Sequence, residues 1–223
     1  MDIKETYAEL WQKDSNEINS NGLYDWMSEQ IKEYETILEI GCGSGISTLN
    51  LLERGHDVIS IEFNEHCINM TKRLLTENGY KDIKIINGQI SENNCVDLIK
   101  KIKYKIDLVI CWNPGGANSL SKDEMFNKIE EFYYLGYEKP ELGFFSNYSE
   151  DLIKSACKIG KELNIDTHII DRDENKEGKI SDYIDIKEYG FNEIIFNQIE
   201  GMSNKNTMGE YKKIYYKSFL LLR

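Results

Sequence analysis

Three glycines in five residues, Gly41, Gly43 and Gly45, stand directly after the apolar run Ile37-Leu38-Glu39-Ile40. Glycine accepts positive φ and lets a ligand approach the backbone with no Cβ in the way. A second apolar run, Val58-Ile59-Ser60-Ile61, ends at Glu62, seventeen residues past Gly45. Strand, glycine turn, helix and a second strand ending in a carboxylate form the layout of a nucleoside-binding unit. The turn cradles the ligand and the acid accepts from both ribose hydroxyls. A third cluster, Cys111-Trp112-Asn113-Pro114-Gly115-Gly116, closes another apolar run. The chain has two prolines, against roughly eleven at the usual share of about 5%, so Pro114 marks a strand exit that is held stiff.

The glycine spacing bears on which nucleoside is held. A dinucleotide loop reads G-x-G-x-x-G, its third glycine packing helix on strand beside a pyrophosphate. Here the third glycine comes one place early, and the pattern from Glu39 to Gly45 is E-x-G-x-G-x-G. This pattern, with Glu62 on the next strand, resembles motif I of the class I S-adenosylmethionine (SAM) methyltransferases. The resemblance covers roughly residues 30–223 and is carried by motif I and the order of elements. It implies SAM as cofactor. Glu39, Gly41, Cys42, Gly43 and Gly45 would form the motif around the methionyl part, Glu62 would hold the ribose, and Phe63 would lie against the adenine. In the family an acid often binds the adenine amino group after the third strand. Gln89 stands there, with an amide oxygen able to accept the same bond, and Ile90 would touch the ring.

Asn113-Pro114 resembles the first half of the Asn-Pro-Pro-aromatic motif of amino-methylating members. That likeness implies Asn113 as the catalytic acceptor of a hydrogen bond from the target amine, with Trp112 and Pro114 beside the substrate. Gly115-Gly116 replaces the second proline and the stacking ring, and a tight turn accounts for Pro and Gly there equally well. Similar N-terminal extensions in the family fold over cofactor and acceptor, which implies Trp11 and Tyr24 as lining residues. A helix packed on the sheet edge is the alternative.

The elements that must position these residues alternate. Strands are expected at 37–40, 57–61, 83–86, 106–112 and 142–145, with helices at 46–53, 65–78 and 96–102, around Met125 to Tyr133, and from Leu152 to Leu163. Two final strands, Phe191 to Ile199 and Tyr215 to Leu222, have no helix-sized pattern between them and read as antiparallel. The expected fold is therefore α/β: a Rossmann-like, doubly wound, mostly parallel seven-stranded sheet with an antiparallel C-terminal strand pair. One domain spanning 1–223 is expected, with a helical extension over 1–35 and a charged loop or lid over 171–190.

Bulk properties narrow the function. The net charge of −12 disfavours a nucleic-acid partner, since phosphate binding needs a basic surface. No apolar run reaches the roughly 18 residues of a membrane span, and the polar N-terminus lacks a signal-peptide core, so the cytoplasm is expected. The five cysteines make no C-x-x-C pair, which points to buried small hydrophobes and to no metal site. His56 and His66 read as surface residues, and His168 is a weak candidate for a general base. With no convincing base or metal cluster, an amine acceptor on a small molecule or protein is favoured over a hydroxyl. Competing readings are an aminopropyl transferase, an NAD-dependent oxidoreductase and a non-catalytic SAM-binding regulatory or partner subunit.

Overall fold

In a computed structural model of the chain, residues 3–100, 102–114, 144–182, 184–202 and 213–223 are described. Two helices, α1 (Ile3–Ser20) and α2 (Leu23–Glu29), precede the sheet. They are separated at Gly22, whose φ of 70° is left-handed. Then follow β1 (Thr36–Ile40), α3 (Ile46–Glu53), β2 (Asp57–Glu62), α4 (Glu65–Glu77), β3 (Lys84–Asn87), α5 (Cys95–Ile99) and β4 (Leu108–Trp112). After them come α6 (Phe144–Leu163), β5 (Asp166–Asp173), a 3-10 turn at Ile180–Asp182, β6 (Glu193–Met202) and β7 (Lys213–Leu222).

The seven strands form one sheet in the order β3-β2-β1-β4-β5-β7-β6. The first five are parallel, with Leu38 beside Ile59 and Val109. β7 runs antiparallel to both β5 and β6. Strand alternation splits the apolar residues between two faces. Ile37, Leu108, Ile110 and Ile170 pack with Met27 and Leu51 on one side. Leu38, Ile40, Ile59 and Val109 pack with Ala156 and Ile159 of α6 on the other. The parallel strands β1, β2 and β4 are buried on both faces, so they read as continuous apolar runs.

One strand expected from sequence is displaced. Phe144 and Phe145 begin α6, and the fifth strand is Asp166–Asp173. An apolar quartet at 142–145 imitates a strand, whereas the true one carries Thr167, His168 and Arg172, all buried. Their polar groups read as loop because the partners that satisfy them are distant in sequence. The expected helix around Met125 to Tyr133 lies outside the described residues. The five cysteines are free and buried, as small apolar side chains. His56, expected at the surface, is buried instead, its Nδ1 lying 2.7 Å from the Tyr34 carbonyl oxygen.

Gly45 fixes how closely α3 and α4 meet. Its φ is 87°, and a Cβ there would lie 2.8 Å from the Cα of Thr71. Gly45→Ala is therefore expected to lose about 2–4 kcal/mol through strain and overpacking combined, measured by urea unfolding.

Candidate active site

The parallel strands end along one rim, and a cleft opens there. Its walls come from Ile40, Gly41 and Gly43 after β1, Ile61, Glu62 and Phe63 at β2, Gly88 and Ile90 after β3, and Trp112, Asn113 and Pro114 after β4. Trp11 of α1 and Leu152 of α6 complete it. This is where open α/β sheets hold ligands, because the loops diverge beyond the carboxyl ends of the strands. Gly41 and Gly43 have φ of 79° and 52°. A Cβ on Gly43 would come within 3.9 Å of the Trp11 ring, so the indole of α1 lies directly over the glycine turn.

Two acidic residues organise the turn. Glu62 Oε2 accepts from the Gly43 N–H at 3.1 Å, and Oε1 accepts from the Phe63 and Asn64 N–H groups at 2.9 and 3.0 Å. Three of roughly four lone-pair sites are used, so acceptor capacity remains on the cleft wall. Burial pushes the Glu62 carboxyl above the usual carboxylate range, opposed by these backbone donors. Glu39 lies deeper. Its Oε1 accepts from Ser47 Oγ at 2.6 Å, and its Oε2 accepts from Thr48 Oγ1 at 2.6 Å and Ser60 Oγ at 2.8 Å. Desolvation raises its pKa, with the three hydroxyls working the other way.

The far end of the cleft is built differently. Asn113 follows β4 in the left-handed region, with φ of 51°. Its backbone N–H donates to the Ile170 carbonyl at 2.8 Å. Its side chain is buried, its Nδ2 is 3.9 Å from the sulfur of Met27, and its Oδ1 has no hydrogen-bond partner. Next to it, Trp112 Nε1 donates to His168 Nδ1 at 3.0 Å. Burial takes His168 down to about 3, its two ring nitrogens are occupied by Trp112 and Ser218, and it does not line the cleft, so it is not placed as a general base. α1 is tethered from below: Arg172 Nη1 is 2.9 Å from Asp14 Oδ2, with the pair almost fully buried. The Arg172 guanidinium also lies 5.9 Å from the centre of the Trp11 ring.

Among the residues singled out from sequence, Gly41, Gly43, Glu62, Phe63, Ile90, Trp11, Trp112, Asn113 and Pro114 come together in this cleft. Others do not line it. Glu39 is corrected to a supporting position, its carboxylate committed to three hydroxyls. The Cys42 thiol is buried 3.5 Å from Thr71 Oγ1, and Gly45 faces Thr71 rather than the cleft. Gln89 is exposed beside the cleft, its carbonyl accepting from Asn94. Tyr24, expected at the acceptor, instead lies in the core with Met27 and Tyr216. No described residue of 171–190 lines the cleft either. Asp171 to Asp173 belong to β5, and Ile180 and Ile184 anchor the following segment in the core on the α6 face.

Sequence reasoning did not single out Ile40, Ile61, Gly88 and Leu152 as lining residues, nor the Asp14–Arg172 tether. Ile40, Ile61 and Gly88 directly adjoin Gly41, Glu62 and Gln89, whereas residues 14 and 172 carry no spacing signal that pairs them.

The chain is similar to known methyltransferases. Residues 37–133, which include the glycine turn, Glu62 and Asn113, match the family model described as a methyltransferase domain. Residues 37–133 are thus a methyltransferase domain, and the fold around them is that of the class I SAM-dependent enzymes. Its cofactor is SAM, and the NAD reading is set aside. The domain is 31% identical over 92 residues to the mitochondrial ribosomal RNA small subunit methyltransferase of Arabidopsis thaliana, covering 41% of this chain and 22% of that protein. It is 22% identical over 143 residues to a Methanocaldococcus jannaschii protein named probable cobalt-precorrin-6B C(15)-methyltransferase (decarboxylating), covering 57% of this chain and 75% of that one. The chain thus spans about a fifth of the plant relative's length and three quarters of the archaeal one's. In fold, it resembles the SAM-bound magnesium protoporphyrin IX methyltransferase of Synechocystis PCC 6803, with a TM-score of 0.50 and 14% identity, covering 96% of this chain and 83% of that one. Among the described residues, no helix of the methyltransferase is long and apolar enough to cross a membrane.

The residues fit this cofactor. A carboxylate with spare acceptor capacity ends β2, apolar side chains at Ile61, Phe63 and Ile90 suit a flat ring, and the glycine turn leaves room for close approach. Because the Glu62 carboxyl is raised, it takes up a proton at a higher pH than an ordinary glutamate does. Protonation weakens its pull on hydroxyl donors. Affinity for S-adenosylhomocysteine should therefore fall as pH is lowered, starting above the ordinary glutamate range, and Glu62→Gln should flatten the profile. Calorimetric titration across pH checks both.

Proposed function

We propose that this methyltransferase methylates an amine nitrogen on a small molecule or protein, with Asn113 as the residue that aligns the nitrogen. The observation carrying this reading is the Asn113 side chain: buried, left-handed at φ 51°, and with Oδ1 unpartnered at the cleft. A buried acceptor without a donor is costly, by about 1–3 kcal/mol, and an incoming N–H relieves that cost.

SAM, when bound, supplies an electrophilic methyl group on a cationic sulfur. The chain's own contribution is proximity and alignment. Glu62 accepts from the ribose hydroxyls, and Ile61, Phe63 and Ile90 exclude water from the flat ring. Asn113 Oδ1 accepts a hydrogen bond from the amine, which turns the nitrogen lone pair away from Asn113. Trp112 and Pro114 flank it. The nitrogen must arrive neutral. As the C–N bond formed, the sulfur–methyl bond would break with its electron pair left on sulfur as a neutral thioether, and the surplus proton on nitrogen would go to solvent. The absence of a lysine or arginine among the described cleft residues, with the net charge of −12, supports an acceptor without phosphates.

A second reading has one specific support: relatives named as RNA methyltransferases. The two readings separate on acceptor panels. Release of S-adenosylhomocysteine with amines or proteins, but not with RNA transcripts, supports the first; the reverse pattern overturns it.

Glu62→Ala is expected to weaken S-adenosylhomocysteine binding by roughly a hundredfold, from the loss of charge-assisted hydrogen bonds. Asn113→Ala should leave that binding within about threefold while turnover falls on the order of a hundredfold. Unchanged turnover in the Asn113 variant would remove it from the mechanism.

A further inference from the structure

His168 lies outside the cleft, yet it is one of the most constrained side chains in the molecule. It is fully buried on β5. Its neighbours in the sheet are Ile110 on β4 and Leu220 on β7. Its two ring nitrogens reach to opposite sides. Nδ1 receives the Trp112 indole N–H at 3.0 Å, and Nε2 lies 2.8 Å from Ser218 Oγ. An indole N–H can only donate, so Nδ1 is the bare nitrogen, and Nε2 carries the proton and donates to Ser218. The tautomer is fixed by its partners. The two rings also meet edge to face, centroids 5.8 Å apart at 88°. The chain Trp112–His168–Ser218 thus runs across three adjacent strands and ends on a residue that lines the cleft.

The same end of the cleft is also held by the Asn113 N–H on the Ile170 carbonyl. Both restraints come from β5, from residues 168 and 170, which share one face of the strand. The backbone restraint fixes where Asn113 leaves β4. The side-chain restraint fixes the plane of the Trp112 indole beside it. Without His168 the indole N–H would be buried with no acceptor, and the ring would have to turn to find one.

We infer that His168 is a positioning residue for this cleft: acting through Trp112, it sets the wall beside Asn113. This rests on the cleft being the adenosyl site proposed above, so one readout requires no ligand. The Trp112 indole N–H resonance, assigned by its loss in Trp112→Phe, should be sharp and slow to exchange in the intact protein. His168→Phe fills the space but accepts nothing, and should shift that resonance and speed its exchange. His168→Gln keeps an oxygen toward Trp112 and a donor toward Ser218, and should restore both. In titrations with S-adenosylhomocysteine, His168→Phe should weaken binding by about tenfold and His168→Gln by less than about threefold. His168→Phe should add nothing in a Trp112→Phe background, as coupled residues do.

An unmoved indole signal in His168→Phe overturns the inference. Equal losses in the Phe and Gln variants, or the same loss with and without the Trp112 indole, also overturn it. If His168→Phe does not fold, Ser218→Ala must still shift the Trp112 resonance, and an unmoved signal there has the same meaning. Failure of the intact protein to bind S-adenosylhomocysteine would overturn the adenosyl reading instead, while the indole signal would still test His168.

Discussion

Glu39 puts a carboxylate where water does not reach, and three hydroxyls answer it. Two come from the first turn of α3 and one from β2. Burying a charge is costly unless it is paired or fully hydrogen-bonded, so this site tolerates little rearrangement. β1, β2 and the start of α3 must keep their relative positions, and the glycine turn between β1 and α3 inherits its shape from theirs. Glu62 then draws the Gly43 N–H toward the end of β2. One acid fixes the base of the turn and the other fixes its tip. The open wall of the cleft follows from the pair.

The acceptor end obeys a different constraint. There the restraining groups are neutral: an indole, an imidazole, a hydroxyl and the backbone bond from Asn113 to Ile170. Neutral groups hold geometry without adding a field to the cleft. Glu62 is the single charged residue among the described cleft-lining side chains, so the polarity of the site is concentrated at the ribose end. A reaction whose electrophile arrives already charged needs alignment more than it needs an added field, and this division of labour suits that demand.

Much of this was legible in the sequence. Ile37 to Gly45 announced a strand and a glycine turn because parallel buried strands are continuous apolar runs and because positive φ selects glycine. The final antiparallel pair was legible from the absence of a helix between two strand-like runs. The fifth strand was not. His168 and Arg172 make it look like a loop, and their partners, Trp112 with Ser218 and Asp14 with Tyr216, all lie 44 or more residues away in the sequence. Tyr24 misled for the opposite reason: an aromatic before the first strand is compatible with a cleft wall and with a core, and only packing distinguishes them. Glu39 stands in the glycine motif in sequence, but its carboxylate is turned to the hydroxyls of α3 and β2, which no spacing rule identifies.

The Asp14–Arg172 ion pair joins the first helix of the chain to the fifth strand. β5 is itself held by β7, which ends the sequence. During synthesis α1 emerges well before β5, so its partner is absent when it leaves the ribosome. β6 emerges before β7 but must leave a gap beside β5 for β7 to enter. Contacts of such long sequence separation form slowly, since the loop must close before the contact contributes. The segment that carries Trp11 to the mouth of the cleft is therefore made before the strand it docks on. A nascent chain has its glycine turn well before it has a roof over it.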